Sequence, residues 1–131
     1  MKMSTAPPSS SSSSSSMYDL VWSMESGEHM PDKKQFVHEL AAATAPGGRV
    51  IVVTWCHREL TPTRPLLSPE EQRLLARICD AYYLPAWAPA SEYVTAMTNE
   101  GLQVGRWVET QSHSITLLSQ YRNESRRHCY L

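Results

Sequence analysis

The chain has 131 residues, of which 41% are hydrophobic and 19% charged, and its formal net charge at pH 7 is -1. This length allows one small domain, and the balance of charge excludes the strongly basic surface typical of nucleic-acid binding. The longest apolar run, Val50–Cys56, is too short to cross a bilayer. The cysteines, Cys56, Cys79 and Cys129, are odd in number and form no CxxC pair, which favours reduced thiols.

The chain begins with a serine-rich leader, Met1–Ser16, whose last eight residues are all serine. Because such a segment cannot bury apolar surface, we expect it to be disordered. It is rich in serine and free of acidic residues, as plastid transit peptides are, but it contains one lysine and no arginine. A targeting leader and a leader without a targeting role both remain open.

The next segment predicts a strand, a helix and a second strand joined by short connections. Residues 18–23 form a short apolar run suited to a buried strand. Asp32 and Gln35 begin a helix over residues 32–44, and Pro46-Gly47-Gly48 ends it in a tight turn. Residues 49–55 contain a continuous β-branched run, which favours a strand covered on both faces. We therefore expect two parallel strands with a crossover helix. The apolar stripe of that helix comprises Phe36, Val37, Leu40, Ala41 and Thr44.

The second half of the chain predicts two further helices and one or two strands. Residues 56–67 lack periodicity and are expected to form a loop. Ser68-Pro69-Glu70-Glu71 is a strong start for a helix over residues 68–82, and a short helix over residues 91–100 follows. Residues 102–109 are expected to form a strand, residues 115–119 are a weaker strand candidate, and no packing pattern is visible beyond Gln120. The expected buried face of the 68–82 helix comprises Leu74, Leu75, Ile78, Cys79 and Tyr82.

Polar loops follow both predicted parallel strands. Ser23–His29 follows the first strand and Trp55–Arg58 the second, so both loops should emerge at the carboxyl edge where open α/β sheets bind ligands. In the first loop, Glu28 and His29 place a carboxylate beside an imidazole, a pair that can accept a proton from a hydroxyl group. Ordinary solvation of a surface loop is the simpler explanation of the same polarity.

Other constellations give weaker signals. Cys56 has no His-Asn or His-Asp arrangement to activate it, and buried cysteines are usually inert. His29, His57 and Glu28 could supply metal ligands, but neither HExxH nor paired CxxC motifs occur, so no metal site is predicted. A cluster of aromatic residues at 82, 83 and 87 either fills the core or lines a wall for a ring-bearing ligand. No G-x-G-x-x-G phosphate loop is encoded.

Three long and unusual phrases carry a family resemblance. They are DLVWSMESGEHMPDK at residues 19–33, APGGRVIVVTWCHREL at residues 45–60 and ICDAYYLPAW at residues 78–87. Together they resemble the plant γ-tocopherol methyltransferase family of class I S-adenosylmethionine-dependent methyltransferases. The resemblance spans residues 17–101 and implies a partial Rossmann-like α/β fold with parallel strands and flanking helices. It makes residues 18–23 the fourth strand and residues 49–55 the fifth strand of the family's sheet.

The resemblance also implies that this chain is a central-to-C-terminal fragment. The family's first three strands, with the glycine-rich loop and the acid that binds the ribose, should precede Tyr18, where this chain has only its leader. We therefore expect a partial methyltransferase domain over residues 17–109, a divergent tail over residues 110–131, and little activity from the chain alone. The alternative is a non-catalytic interaction module that associates with itself or with a full-length relative through the exposed edge of the first strand.

By resemblance, the reaction is methyl transfer from S-adenosylmethionine to a tocopherol-like aromatic acceptor. Glu28 and His29 would draw the acceptor's proton, and the chloroplast would be the site of action, or the cytoplasm if the leader is not a transit peptide. No nucleic-acid partner and no transmembrane segment are expected. The donor side of the site would comprise Ser23, Met24, Glu25 and Ser26. The acceptor side would comprise Trp55, His57, Tyr82, Tyr83 and Trp87.

Overall fold

A computed structural model describes residues 17–109 and 115–122 of the chain, with side chains through residue 103. The expected leader and Cys129 lie outside the described residues. The elements are, in chain order, β1 (Tyr18–Met24), a 3-10 turn (Gly27–His29), α1 (Lys33–Ala43), β2 (Thr44–Trp55), α2 (Pro69–Tyr82), α3 (Ala90–Asn99), β3 (Leu102–Glu109) and β4 (Ile115–Arg122). No described helix combines the length and apolarity that a membrane span requires.

The strands form one sheet in the order β1-β2-β4-β3. β1 and β2 are parallel, with Val21 beside Val50, whereas β4 is antiparallel to both of its neighbours. The predicted α/β fold with a parallel pair joined through a helix is confirmed. The weaker strand candidate is also a strand, and it continues past Gln120 to Arg122. Pairing with β2 and β3 on its two sides stabilises β4, and such long-range pairing leaves no local pattern in the sequence.

The helix starts follow the capping signals in the sequence. The Asp32 side chain accepts a hydrogen bond from the Gln35 amide at 2.9 Å. At α2 the capping box is complete, because the Glu71 amide donates to Ser68 Oγ at 3.2 Å and the Ser68 amide donates to the Glu71 carboxylate at 2.7 Å. Each pair satisfies amide groups that have no partner within the helix.

The expected tight turn at Pro46-Gly47-Gly48 lies inside β2. β2 begins at Thr44, which is paired with Tyr18, and a register irregularity separates this pair from the regular ladder. The expectation that this strand begins at residue 49 is therefore wrong by several residues. Gly47 has the expected positive φ of 78°. A Cβ on Gly48 would lie 2.8 Å from the Ala45 carbonyl oxygen, so the irregularity needs glycine for space as well.

One side of the sheet, which we call the core face, is covered by α1 and α3. The alternating β2 residues Val50 and Val52 point to this face and are fully buried. Phe36 and Leu40 of α1 pack against the same cluster, which confirms the predicted helical stripe. The buried helix residues of the cluster are Val37, Ala41, Ala90, Tyr93, Ala96 and Met97.

The other side, which we call the open face, carries the intervening β1 and β2 side chains. Ile51 and Val53 are only half-buried, so the prediction of a strand covered on both faces holds for one face alone. The predicted buried face of α2 is also wrong, since no α2 residue is buried and Leu74 is 55% exposed. The capping hydrogen bonds are enough to start α2 where the sequence predicts. Its apolar side chains stay accessible because no element among the described residues covers them. The large apolar β1 side chains exposed on this face are Leu20, Trp22 and Met24.

Candidate functional site

The two parallel strands end at a shared carboxyl edge, as the sequence predicts. Directly after β1, the Glu25 amide donates to the Val53 carbonyl oxygen at 2.7 Å, which extends the pairing with β2 by one residue. Glu25 has a φ of 50°, in the left-handed region that few non-glycine residues adopt. The backbone therefore turns sharply at Glu25 and enters the 3-10 turn at the edge of the sheet.

Gly27 lets this turn approach the end of β2. A Cβ at this position would lie 2.7 Å from Thr54 Oγ1 and 3.0 Å from Thr54 Cβ. Such contacts are too short for any side chain unless Thr54 or the backbone of the turn shifts. The glycine thus brings Glu28, the next residue, against β2.

Glu28 is held by β2 through its side chain. It is 3% exposed, and its Oε2 accepts a hydrogen bond of 2.7 Å from Thr54 Oγ1. Thr54 is itself fully buried on the core face. A buried carboxylate is costly unless it is hydrogen-bonded, and this bond fixes the orientation of the Glu28 side chain.

Lys33, which the sequence analysis did not single out, holds the same turn through its backbone. Its ammonium donates to the carbonyl oxygens of Gly27 at 2.9 Å, Glu28 at 3.4 Å and Met30 at 2.6 Å. Burial lowers the pKa of Lys33, and the nearby charge of Glu28 opposes that shift. The sequence does contain a signal for Lys33. The helix dipole disfavours a cation at the first position of a helix, so a lysine there indicates a compensating interaction.

A small cavity of about 150 Å³ opens at this edge. The two predicted catalytic residues both line it, and the His29 side chain there is exposed to solvent while Glu28 is buried. Two predicted acceptor residues, Trp55 and Tyr82, complete much of the wall, with ring centroids 6.1 Å apart. The remaining lining residues are Glu25 and Leu84.

A larger cavity of about 340 Å³ lies beside α2, with His57 and Trp87 among its lining residues. The Trp87 ring meets the ring of Trp55, which lines the small cavity, at a centroid distance of 5.4 Å. The two cavities therefore adjoin across this aromatic pair. The other apolar lining residues of the larger cavity are Leu67, Leu75, Ala76, Cys79 and Ala86.

Several predicted site residues lie away from these cavities. Tyr83 is 95% exposed and lines neither of them. On the donor side, Ser23 is buried on the core face and its hydroxyl is hydrogen-bonded to that of Ser26, and the Met24 side chain lies on the open face. Cys56 is buried beneath the edge. Among the described residues, no three acidic, histidine or cysteine side chains are grouped to hold a metal ion.

The loop that follows β2 is organised by Arg58, a second residue that the sequence analysis missed. Its guanidinium binds both oxygens of the Glu71 carboxylate, at 2.7 and 3.0 Å, and donates to the Leu66 carbonyl oxygen at 2.8 Å. Hydrogen bonds from Arg58 and from the Ser68 amide lower the pKa of Glu71 to about 2. The predicted irregular loop is therefore tied to the start of α2, beside the larger cavity.

Two plant proteins are similar in sequence to most of this chain. The chain is 58% identical over 95 residues to a probable chloroplastic tocopherol O-methyltransferase of Oryza sativa subsp. japonica, covering 70% of this chain and 26% of that protein. It is 56% identical over 86 residues to the chloroplastic tocopherol O-methyltransferase of Arabidopsis thaliana, covering 66% of this chain and 25% of that protein. The chain thus spans about a quarter of the length of these relatives. No family model matches it.

More distant comparisons add another relative named as a methyltransferase and show the fold. A 2-methyl-6-phytyl-1,4-hydroquinone methyltransferase of Synechocystis is 33% identical over 89 residues, covering 68% of this chain and 27% of that protein. Among solved structures, a geranyl diphosphate methyltransferase in complex with geranyl diphosphate and sinefungin superposes with a TM-score of 0.65 at 16% identity. The superposition covers 79% of this chain and 46% of that one, so the described sheet corresponds to part of a Rossmann-like methyltransferase fold.

Proposed function

Because the chain is homologous to the plant tocopherol O-methyltransferases and has the fold of S-adenosylmethionine-dependent methyltransferases, we propose that it carries the acceptor side of a methyl-transfer site. The acceptor is an aromatic alcohol with a long apolar chain. The observation that carries this proposal is the pair of adjoining cavities at the carboxyl edge, one lined by Glu28 and His29 and the other largely apolar.

The shape of the two cavities suits an acceptor with a ring and a chain. The aromatic ring lies in the small cavity against the wall formed by Trp55 and Tyr82, because aromatic walls favour edge-to-face and stacked contacts with a ring. The apolar chain lies along the larger cavity, past Trp87 and His57. Binding sites of this kind combine apolar walls with a few placed polar groups, and the relatives' names include tocopherol and a phytyl hydroquinone.

His29 and Glu28 act on the hydroxyl of the bound ring. His29 accepts the hydroxyl proton, because its ring lines the cavity and a neutral imidazole has one nitrogen that can accept a proton. Glu28, fixed by Thr54, orients the hydroxyl and stabilises the imidazolium that forms. The ionised oxygen is the nucleophile for methylation on oxygen. It also makes the neighbouring ring carbons nucleophilic, and after methylation on carbon that carbon loses its hydrogen as a proton while the oxygen regains a proton.

Of the four residues predicted for the donor side, Glu25 lines the small cavity, and the donor is assigned to it, with Ser23 and Ser26 supporting the loop through their mutual hydrogen bond. When bound, S-adenosylmethionine supplies a methyl group on a sulfonium cation. Glu25 fits such a donor, since its exposed carboxylate lines the small cavity and attracts a cation. The left-handed turn at Glu25 holds this carboxylate at the edge of the sheet.

Methyl transfer by a chimera tests the proposal. The segment of the rice relative that matches this chain is replaced by residues 17–109, and labelled methyl transfer to γ-tocopherol is measured beside the intact relative. We expect transfer by the chimera, and weaker binding of the same ring system without its phytyl-derived chain, because each buried CH₂ contributes about 0.8 kcal/mol. A folded chimera that binds the donor but transfers no methyl group would contradict the proposal.

We also propose that the protein acts in the chloroplast, as both plant relatives are named chloroplastic. A fluorescent fusion to the C-terminus of the full chain, viewed in leaf cells, tests this location. Fluorescence that fills the cytoplasm and spares the plastids would contradict it.

A second candidate function is association through the edge of β1, with another copy or with a longer relative. Within the described residues β1 pairs with β2 alone, and Tyr18, Leu20 and Trp22 are each more than half exposed. Such an edge favours pairing with a further strand. Sedimentation of the chain with and without Trp22→Lys tests this: we expect the substitution to reduce association, and two identical monomeric profiles would contradict it.

A further inference from the structure

The surroundings of Lys33 are unusual for a lysine. Its side chain is 5% exposed although it stands at the first position of α1, whereas the next residue, Lys34, is exposed. Burial of an ammonium group is costly, and the positive end of the helix dipole adds to that cost. A compensating interaction must therefore hold Lys33 in place.

The compensation comes from backbone carbonyl groups. An ammonium group has three donors, and here they meet the carbonyl oxygens of Gly27, Glu28 and Met30. A short helix leaves its last carbonyl groups without intrahelical partners. The Gly27 oxygen also accepts from the Met30 amide, and all three oxygens converge on the Lys33 ammonium. The bonded carbonyls of Glu28 and Met30 lie on either side of His29 along the chain.

The nearby charge of Glu28 favours the ammonium form of Lys33, but no direct ion pair between the two side chains explains where the ammonium group lies. The salt bridges of the described residues join His38 to Glu100 and join Arg58 and Arg64 to Glu71, and none of them joins Lys33 to the Glu28 carboxylate. That carboxylate is bound by Thr54 instead. Lys33 therefore binds the backbone of the turn, while Thr54 binds its side chain.

We propose that Lys33 is a positioning residue, which clamps the backbone on both sides of His29 and so holds Glu28 and His29 at the small cavity. The structural part of this inference stands on the hydrogen bonds alone. Its consequence for catalysis rests on the proposed function. Positioning of this kind matters because small displacements of catalytic groups cause large losses of rate.

Hydrogen exchange in the full chain tests the clamp without any assay of activity. The amides of His29 and Met30 donate to Ser26 and Gly27 within the turn, each at 3.1 Å, and report its local opening. We expect Lys33→Met to accelerate exchange at these amides about tenfold, because it removes the hydrogen bonds that a charged donor makes to the turn. Exchange in α3 should stay unchanged, and Lys33→Arg should restore part of the protection.

Lys34→Met is the matched control, because it removes an exposed lysine from the adjacent position. Equal exchange in the two methionine variants would overturn the proposal. Acceleration spread evenly over the turn, β2 and α3 would also overturn it, since that pattern reports a loss of global stability. If Lys33→Met unfolds the chain, Lys33→Gln decides instead, because glutamine is uncharged, shorter and has two donors in place of three. Local acceleration at His29 and Met30 in that variant would support the clamp, and parental exchange at both amides would overturn it.

A catalytic readout in the chimera separates positioning from a purely structural role. We expect Lys33→Met to lower kcat with little change in KM for γ-tocopherol, and Lys33→Arg to recover part of kcat. Parental kcat in a Lys33→Met protein whose turn exchanges faster would overturn the consequence for catalysis. If the parent chimera is inactive, the proposed function fails while the hydrogen-exchange result still decides the clamp.

Discussion

On the core face α1 and α3 bury Val50 and Val52 of β2 completely, whereas on the open face Ile51 and Val53 of the same strand are only half-buried. The two faces belong to the same strands and alternate along them. The difference therefore lies in what covers each face and not in the apolarity of the strands. Two interdigitating helices supply that cover on one side, and α2 leaves the other side partly open.

The candidate site lies where the two faces meet. Thr54, on the core face, binds the Glu28 carboxylate, and Trp55, on the open face, lines the small cavity. Thr54 thus anchors the turn to the core, and the next residue, Trp55, presents its aromatic ring to the cavity. A site of this kind needs both a fixed support and an accessible wall.

The largest expected effect comes from truncation on the core face. Met97 is fully buried in the cluster beneath the sheet, whereas Leu74 on α2 is 55% exposed. We expect Met97→Ala to lower the free energy of unfolding by about 2–5 kcal/mol and Leu74→Ala by roughly 0.5 kcal/mol or less. Denaturant unfolding of both variants measures the contrast, and equal losses would remove the distinction between the two faces.

A smaller effect is expected where the turn touches the core face. Gly27→Ala places a Cβ against Thr54, and we expect a loss of about 1–3 kcal/mol of unfolding free energy from overpacking. Because Thr54 is the obstacle, the double variant Gly27→Ala, Thr54→Ala should lose less than the sum of the two single losses. Strictly additive losses in denaturant unfolding would show that the turn does not rest on Thr54.

The smallest expected effect is a pH dependence at the start of α2. Glu71 has a pKa of about 2, lowered from 4.5 by Arg58 and by the Ser68 amide. Since a lowered folded-state pKa stabilises the ionised form, this contribution is present above pH 4.5 and lost as pH falls toward about 2. The difference in stability between the parent and Glu71→Gln should shrink over that window, measured by denaturant unfolding at each pH.

Glu70→Gln is the control for this prediction, because Glu70 is an exposed carboxylate in the same turn of α2. It should retain the acid dependence of the parent. A constant difference between the parent and Glu71→Gln across the window would contradict the role of the Arg58 contact.

Local signals in the sequence predicted most of the fold correctly. The β-branched run near Val52 fixed a central strand, and the caps at Asp32 and Ser68 marked helix starts, because each depends on neighbours within a few residues. The burial of α2 was predicted wrongly. An apolar stripe shows which face of a helix would pack, but it does not show that another element covers that face. The end of β4 was missed because its pairing is long-range.

The candidate site was predictable in outline but not in its supports. Parallel strands made it possible to expect Glu28 and His29 at a shared edge. The Thr54 hydrogen bond and the Lys33 clamp could not be predicted, because they depend on how closely the turn approaches β2. That close approach requires glycine at position 27, because a Cβ there would clash with Thr54. The sequence alone does not show that these two residues are in contact.

The central claim, that Glu28 and His29 act on the acceptor's proton, is tested most directly by methyl transfer in the chimera with single substitutions. We expect His29→Ala to lower kcat by roughly 10²–10⁴-fold and Glu28→Gln to lower it as well. The exposed histidine of α1 is the control, so His38→Ala should retain the parental kcat. Equal kcat values in His29→Ala, Glu28→Gln and His38→Ala would contradict the account.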